Sequence, residues 1–239
     1  MMNNARLILS FLLLILVAPI QAQQLDKTSN MKIVYAFDPL CGWCYGFSKS
    51  FESFIASHPN LDVEIVCGGM VTGDRVGPLS DIAPYLRSAY KDVEQRTGVT
   101  FGEAYLAELF GDAAMIMNSI PPSLALVAFK MLNPDPRAAV QFGSAIQSAI
   151  YSKGLPPESE AGWVNLAKEF GLDAEAFKNA IQSEQCRVNL QNEFIRVQQM
   201  GVNGFPTVML SIDNELHTLS RGYTDANSLN AQFTKLFKP

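Results

Sequence analysis

The chain has 239 residues, 48% of them hydrophobic, enough for one large domain or a domain carrying an elaborate insertion. Its formal net charge is −5, from 18 Lys and Arg against 23 Asp and Glu, and no basic cluster interrupts it. Such a chain is a poor nucleic-acid binder.

Residues 1–22 read as a secretory signal peptide. Arg6 gives a short positive start, Leu7 to Val17 is an almost unbroken apolar run, and Ala18-Pro19-Ile20-Gln21-Ala22 ends on a small residue, with cleavage expected near Ala22. The alternative is a membrane anchor, for which the run is short. Removing this segment takes away Arg6 and shifts the net charge from −5 to −6. Export would place the cysteines where a dithiol pair can be held oxidised. Residues 23–30 are polar and read as a short lead-in.

Met31 to Phe37 has strand character, being apolar and partly β-branched. After Asp38-Pro39-Leu40-Cys41-Gly42-Trp43-Cys44, the residues Phe47, Phe51, Phe54 and Ile55 recur at helical spacing, so both cysteines sit where a strand turns into a helix. The unpaired N–H groups and the dipole of a helix start favour negative charge there. Cys41, nearest the helix start, is the expected attacking thiolate and Cys44 the resolving thiol. Half of a zinc site or an inert structural disulfide are the other readings of a CxxC. Cys67 and Cys186 are isolated, however, and no second CxxC or HxxxH supplies further ligands.

His58-Pro59-Asn60 ends the helix, with His58 read as a helix-end residue. Leu61 to Cys67 alternates as a second strand, stopped by Gly68-Gly69, and Cys67 falls on its buried register. From Val71 to Met200 the signals are almost entirely helical. The apolar stripe Ile82, Tyr85, Leu86, Ala89 and Val93 marks one helix, and Phe101 to Phe110 another. Ser123 reads as the cap of a helix to Leu132, with Pro121-Pro122 and Pro156-Pro157 as connectors. Asp135-Pro136 opens the next helix, Trp163 to Phe170 ends at Gly171, Asp173 caps a short helix, and a longer one runs from Glu184 to Met200. Trp163 and the scattered methionines are assigned to the core. Cys186 is open between a buried thiol and a disulfide to Cys67. Gly201 to Pro206 forms a turn into a strand from Thr207 to Ile212, which Asp213-Asn214 folds back onto Glu215 to Leu219. His217, on that return strand, has no evident catalytic partner. A last helix follows Asp225, with Leu229, Phe233 and Leu236 on its apolar face.

The strand, Cys41-Gly42-Trp43-Cys44, the aromatic-rich helix and the later Gly204-Phe205-Pro206-Thr207 together resemble the DsbA-like branch of the thioredoxin superfamily. The resemblance extends over most of the chain beyond residue 22. It implies an α/β, thioredoxin-like fold with an inserted all-helical domain: residues 31–70 and 201–239 as the discontinuous thioredoxin-like part, 71–200 as the insertion. It also implies that Pro206 is cis and faces the CxxC. Cys41, Cys44 and Pro206 are then the candidate catalytic residues, and Gly42, Trp43 and Phe205 the candidate substrate-binding ones, the Phe205 backbone holding an extended substrate segment. The implied activity is oxidation or isomerisation of disulfides in other exported proteins, through a mixed disulfide on Cys41, with no cofactor or metal and with a membrane thiol-disulfide partner for recycling.

Two departures from the pattern limit this. Gly42-Trp43 replaces the Pro-His of the strongly oxidising members, so a milder oxidant is expected. Tyr35 stands where many relatives carry a buried Glu or Asp. Asp38, three residues before Cys41, is the nearest carboxylate, open between proton handling and a turn or cap role. A reductase of the same fold, a glutathione-dependent isomerase or transferase, and a soft-metal carrier using Cys41 and Cys44 remain as alternatives.

Overall fold

The computed structural model describes residues 31–213 and 215–237. The expected signal peptide, residues 1–22, lies outside them. Met31–Phe37 forms β1, and the Cys41 turn leads into α1 (Gly42–Ser57). β2 (Asp62–Cys67) then returns parallel to β1. Next come β3 (Gly77–Pro78), α2 (Ala83–Thr97), α3 (Glu103–Phe110), β4 (Ile116–Met117), α4 (Ile120–Leu132) and α5 (Pro136–Tyr151). α6 (Glu160–Glu169), α7 (Ala174–Gln182), α8 (Glu184–Gln199), β5 (Thr207–Ile212), β6 (Glu215–Arg221) and α9 (Ala226–Phe237) complete the chain.

The main sheet has the order β2-β1-β5-β6, parallel between β1 and β2 and antiparallel elsewhere. Strand periodicity divides β1 between two cores. Ile33, Tyr35 and Phe37 face Phe47, Phe51 and Phe54 of α1, whereas Val34 and Ala36 join Val66, Met209 and Val197 of α8 on the opposite face. Because both faces are covered, β1 reads as a continuous apolar run rather than an alternating one. α5 lies against β2, and Gly143 permits the approach: a Cβ there would stand 2.8 Å from Ile65 Cδ1. Thus α5 and α8, both within 71–200, pack directly on the sheet. α4, α6 and α7 build a helical lobe around the stacked Phe129 and Phe142 rings, with Phe170 and Phe177 against Phe142. This is the thioredoxin-like fold with a helical insertion that the motifs imply.

Two long-range polar devices tie helices of the 71–200 stretch to the α1 end and to β2. Arg137, in the first turn of α5, donates to the carbonyls of Ile55, His58, Pro59 and Leu61 at 2.8–3.1 Å, satisfying the free end of α1. Along the outer edge of β2, Lys130 donates to Ile65 O and pairs with Glu193, whose other oxygen accepts the Cys67 N–H. Arg196 pairs with Glu64 one turn away. Two of the edge groups that could recruit another strand, Ile65 O and the Cys67 N–H, are thereby occupied.

Three local expectations are corrected. α4 begins at Ile120, so Pro121-Pro122 are its first turn and not a connector. Ser123 is therefore inside the helix, where its buried hydroxyl has no partner, rather than at its cap. The 71–200 stretch also holds a two-residue ladder, β3 with β4, too short to leave a periodic signal. Finally, the apolar stripe of α2 is only partly core. Val93 is buried, but Ile82 and Tyr85 are exposed, Tyr85 by 66%. Leu236 is likewise exposed. His58 closes α1 as expected, its ring packed between Phe54 and Phe233.

Candidate active site

The site forms where β1 ends. Cys41 is the N-cap of α1, and its sulfur accepts the Cys44 N–H at 3.3 Å. A residue at this position meets the unpaired amides and the positive end of the helix dipole, so the Cys41 sulfur lies in positive potential. On its other side the sulfur lies 3.5 Å from the carbonyl oxygen of Phe205. The Phe205–Pro206 peptide is cis. The structure therefore brings together Cys41, Cys44, Phe205 and Pro206 from segments more than 160 residues apart in the chain. Cys41 is 5% exposed and Cys44 is fully buried. Burial pushes the Cys44 thiol well above the usual thiol range, and the neighbouring Cys41 sulfur pushes it further. One sulfur thus faces the cleft and the other is held behind it. Cys67 and Cys186 are buried, unbridged thiols. Burial pushes Cys67 well up and Cys186 to about 11, and the Cys186 Sγ donates to Leu124 O.

Asp38 is fully buried and organises the turn. Its carboxylate accepts from Leu40 N at 2.9 Å, from Met70 N at 2.6 Å and from the Ser119 hydroxyl at 2.7 Å. It therefore joins the cysteine turn, the segment after β2 and the start of α4. Burial raises its pKa from the ordinary carboxylate value, and the three donors oppose the rise. Gln147 of α5 completes the frame, its side-chain amide donating to Asp38 O at 3.1 Å and Cys41 O at 3.3 Å. Ser119 and Gln147 were not singled out from the sequence. Ser119 precedes a Pro-Pro pair, a helix-start signal that could have marked it; Gln147 carries no local signal at all.

Cys41 lies in the wall of an apolar groove of about 310 Å³, which also includes Trp43, Ile82, Tyr85, Phe101 and Phe205. The exposed stripe of α2 is one side of this groove, which explains why a core-like pattern is not in the core. Trp43 lies under the guanidinium of Arg96, 5.1 Å from its ring centre. Behind Phe205 is a more polar cavity of about 350 Å³, lined by Gly68, Gly69, Arg75, Gln198 and Asn203 among others. Gly68 lets the Phe205 ring lie against the chain: a Cβ there would fall 2.0 Å from the ring. Among the described residues, no three His, Cys, Asp or Glu side chains gather as a metal site.

No protein-family model matches the chain. A curated relative, the ClpXP adapter protein SpxH of Halalkalibacterium halodurans, is 22% identical over 201 residues, and the chain spans 62% of its length. Among solved structures, a candidate protein disulfide isomerase from Nitrosomonas europaea superimposes with a TM-score of 0.76 at 24% identity, covering 86% of this chain and 97% of that one. The cytosolic disulfide reductase DsbM of Pseudomonas aeruginosa gives 0.71 at 29% identity, covering 86% and 98%. The oxidoreductase DsbA of Xylella fastidiosa gives 0.54 at 14%, covering 88% and 86%. The chain thus has the DsbA-like thioredoxin fold of these structural neighbours, thiol-disulfide oxidoreductases of the DsbA and DsbM type.

Proposed function

We propose that the protein is an exported thiol-disulfide oxidoreductase that oxidises or isomerises disulfides in other exported proteins through the Cys41–Cys44 pair. The observation that carries this is the placement of the Cys41 sulfur, held at the helix start by the Cys44 N–H and facing the cleft beside Phe205 O. In the oxidised form, a substrate thiolate attacks Cys41 Sγ, the Cys41–Cys44 bond breaks, and a mixed disulfide forms on Cys41. A second substrate thiol, or Cys44, then resolves it. Gly42, Trp43 and the Phe205 backbone line the substrate's path, and Pro206 presents no N–H to compete for the sulfur. The apolar groove beside Cys41 suits an unfolded protein segment, whose apolar side chains are not yet buried. The export half of the proposal rests on residues 1–22. Recycling by a membrane thiol-disulfide partner completes it.

A reductase of the same fold is the second reading, supported by the 29% identity to a protein named as a cytosolic disulfide reductase and also solved with glutathione. Two measurements separate and test these readings. Cys44→Ser should accumulate a mixed disulfide with a reduced, unfolded substrate protein, whereas Cys41→Ser should form none. Normal turnover by Cys41→Ser would refute the assignment. The reduction potential of the pair then gives direction: about −120 to −180 mV for an oxidant or isomerase, and about −270 mV for a reductase. N-terminal sequencing of the protein from fractionated cells tests export, and an intact residue 1 in a cytosolic fraction would overturn it.

A further inference from the structure

Resolution of the mixed disulfide needs Cys44 as a thiolate, and its surroundings oppose that charge. The Cys44 sulfur has no exposure to solvent. The Asp38 backbone N–H eases a charge there, but the Asp38 carboxylate and the Cys41 sulfur work against it. The Cys44 N–H is already given to Cys41.

One group behind the pair is unused. Tyr35, on β1, is buried to 3% exposure, and its ring packs among Phe37, Phe47 and Phe51. Its hydroxyl is buried and makes no hydrogen bond of ordinary geometry, although the Cys44 thiol is close enough to interact with it. An unpaired buried hydroxyl is costly, and each such group calls for an explanation. Its electrostatic neighbours are the Cys44 and Cys41 sulfurs, with Glu52 of α1 beyond. Sequence comparison with acid-bearing relatives counts Tyr35 as a missing carboxylate; the structure puts a donor there instead.

We infer that the Tyr35 hydroxyl is the hydrogen-bond donor for the Cys44 thiolate, unpaired in the dithiol and satisfied when Cys44 loses its proton. The inference rests on the redox reading of the pair. In the step it serves, Cys44 releases its proton to solvent and the thiolate attacks Cys41 Sγ. The Cys41–Cys44 bond forms as the Cys41–substrate sulfur bond breaks. The electron pair leaves on the substrate sulfur, which takes a proton from solvent, so Cys44 is oxidised and the substrate sulfur reduced. Tyr35 keeps its own proton throughout, because burial and the two sulfurs hold its phenol well above the usual range. The other titratable groups facing the pair are Asp38 in the turn and Tyr151 on α5.

The test is single-turnover reaction of the reduced protein with 5,5′-dithiobis(2-nitrobenzoate), followed by the absorbance of released thionitrobenzoate. The first release reports attack by Cys41, and the second reports resolution by Cys44. Tyr35→Phe keeps the ring and removes the hydroxyl. It should leave the first release and the melting temperature unchanged, slow the second about tenfold, and shift the second phase's pH profile to higher pH. A merely structural role would move the melting temperature and not that profile. An unchanged second phase in folded Tyr35→Phe would overturn the inference alone. A Cys44→Ser protein that still showed two releases would overturn the redox reading itself, and the inference with it.

Discussion

Replacing Asp38 with Asn tests whether this carboxylate holds the active-site turn as an acceptor. The wild-type side chain receives three donors on two oxygens, Leu40 N and Ser119 Oγ on one and Met70 N on the other. Asn offers one acceptor oxygen. If that oxygen keeps Leu40 N and Ser119, the new NH2 confronts the Met70 N–H, and a buried donor is left unpaired. Such a group costs roughly 1–3 kcal/mol, and the relief of burying one charge fewer offsets part of it. The expected loss is about 2 kcal/mol at neutral pH. With a urea m-value of roughly 2 kcal/mol/M, the unfolding midpoint should fall by about 1 M. The pH dependence has a definite sign. Burial holds the Asp38 pKa above its unfolded value, so the wild type pays an ionisation penalty that is absent below the unfolded pKa and grows as pH rises through the folded one. As pH falls through that range the penalty is relieved in the wild type alone, Asn having no proton to exchange, so its advantage over Asp38→Asn should widen in acid. Urea unfolding followed by circular dichroism across the acid range measures both. A variant as stable as the wild type at neutral pH would refute the acceptor role, and a gap that narrowed in acid would refute the sign.

Gly68→Ala should displace the Phe205 ring, since the new Cβ would fall 2.0 Å from it. Stability should drop by about 1–3 kcal/mol, and mixed-disulfide formation should slow more than unfolding midpoints alone would account for; an unchanged rate would separate Phe205 from the reaction. Arg137→Lys should cost roughly 2–3 kcal/mol in thermal unfolding, because one ammonium cannot serve four carbonyls spread over the end of α1. Equal stability would mean water replaces the guanidinium freely. Glu64 is held below its ordinary carboxylate value by Arg196, against the cost of its burial. Its contribution is therefore present above the unfolded pKa and lost as pH falls through the folded one, so Glu64→Gln should be destabilised at neutral pH by about 1 kcal/mol and match the wild type in acid.

The local order of the chain was legible because local physics dictates it. Met31 to Phe37 is largely apolar and partly β-branched, Asp135-Pro136 and Asp173 are caps in place, and Phe47, Phe51 and Phe54 repeat at helical spacing and are buried against β1. The reactive pair was legible too, since two cysteines separated by two residues at a helix start have few other uses. Hidden from the sequence was everything that depends on which distant segments meet. A periodic stripe such as Ile82, Tyr85 and Leu86 states that a face is apolar, not whether it faces core or an open groove. Ser119 and Gln147 reach Asp38 and Cys41 from 81 and more than 100 residues away, and no spacing encodes that. Tyr35 reads from sequence as an apolar strand residue lacking a carboxylate. Only the packing of α1 on β1 places its hydroxyl behind Cys44 with no hydrogen bond of ordinary geometry, because the position of a side-chain atom within a core is set by the neighbours that close around it.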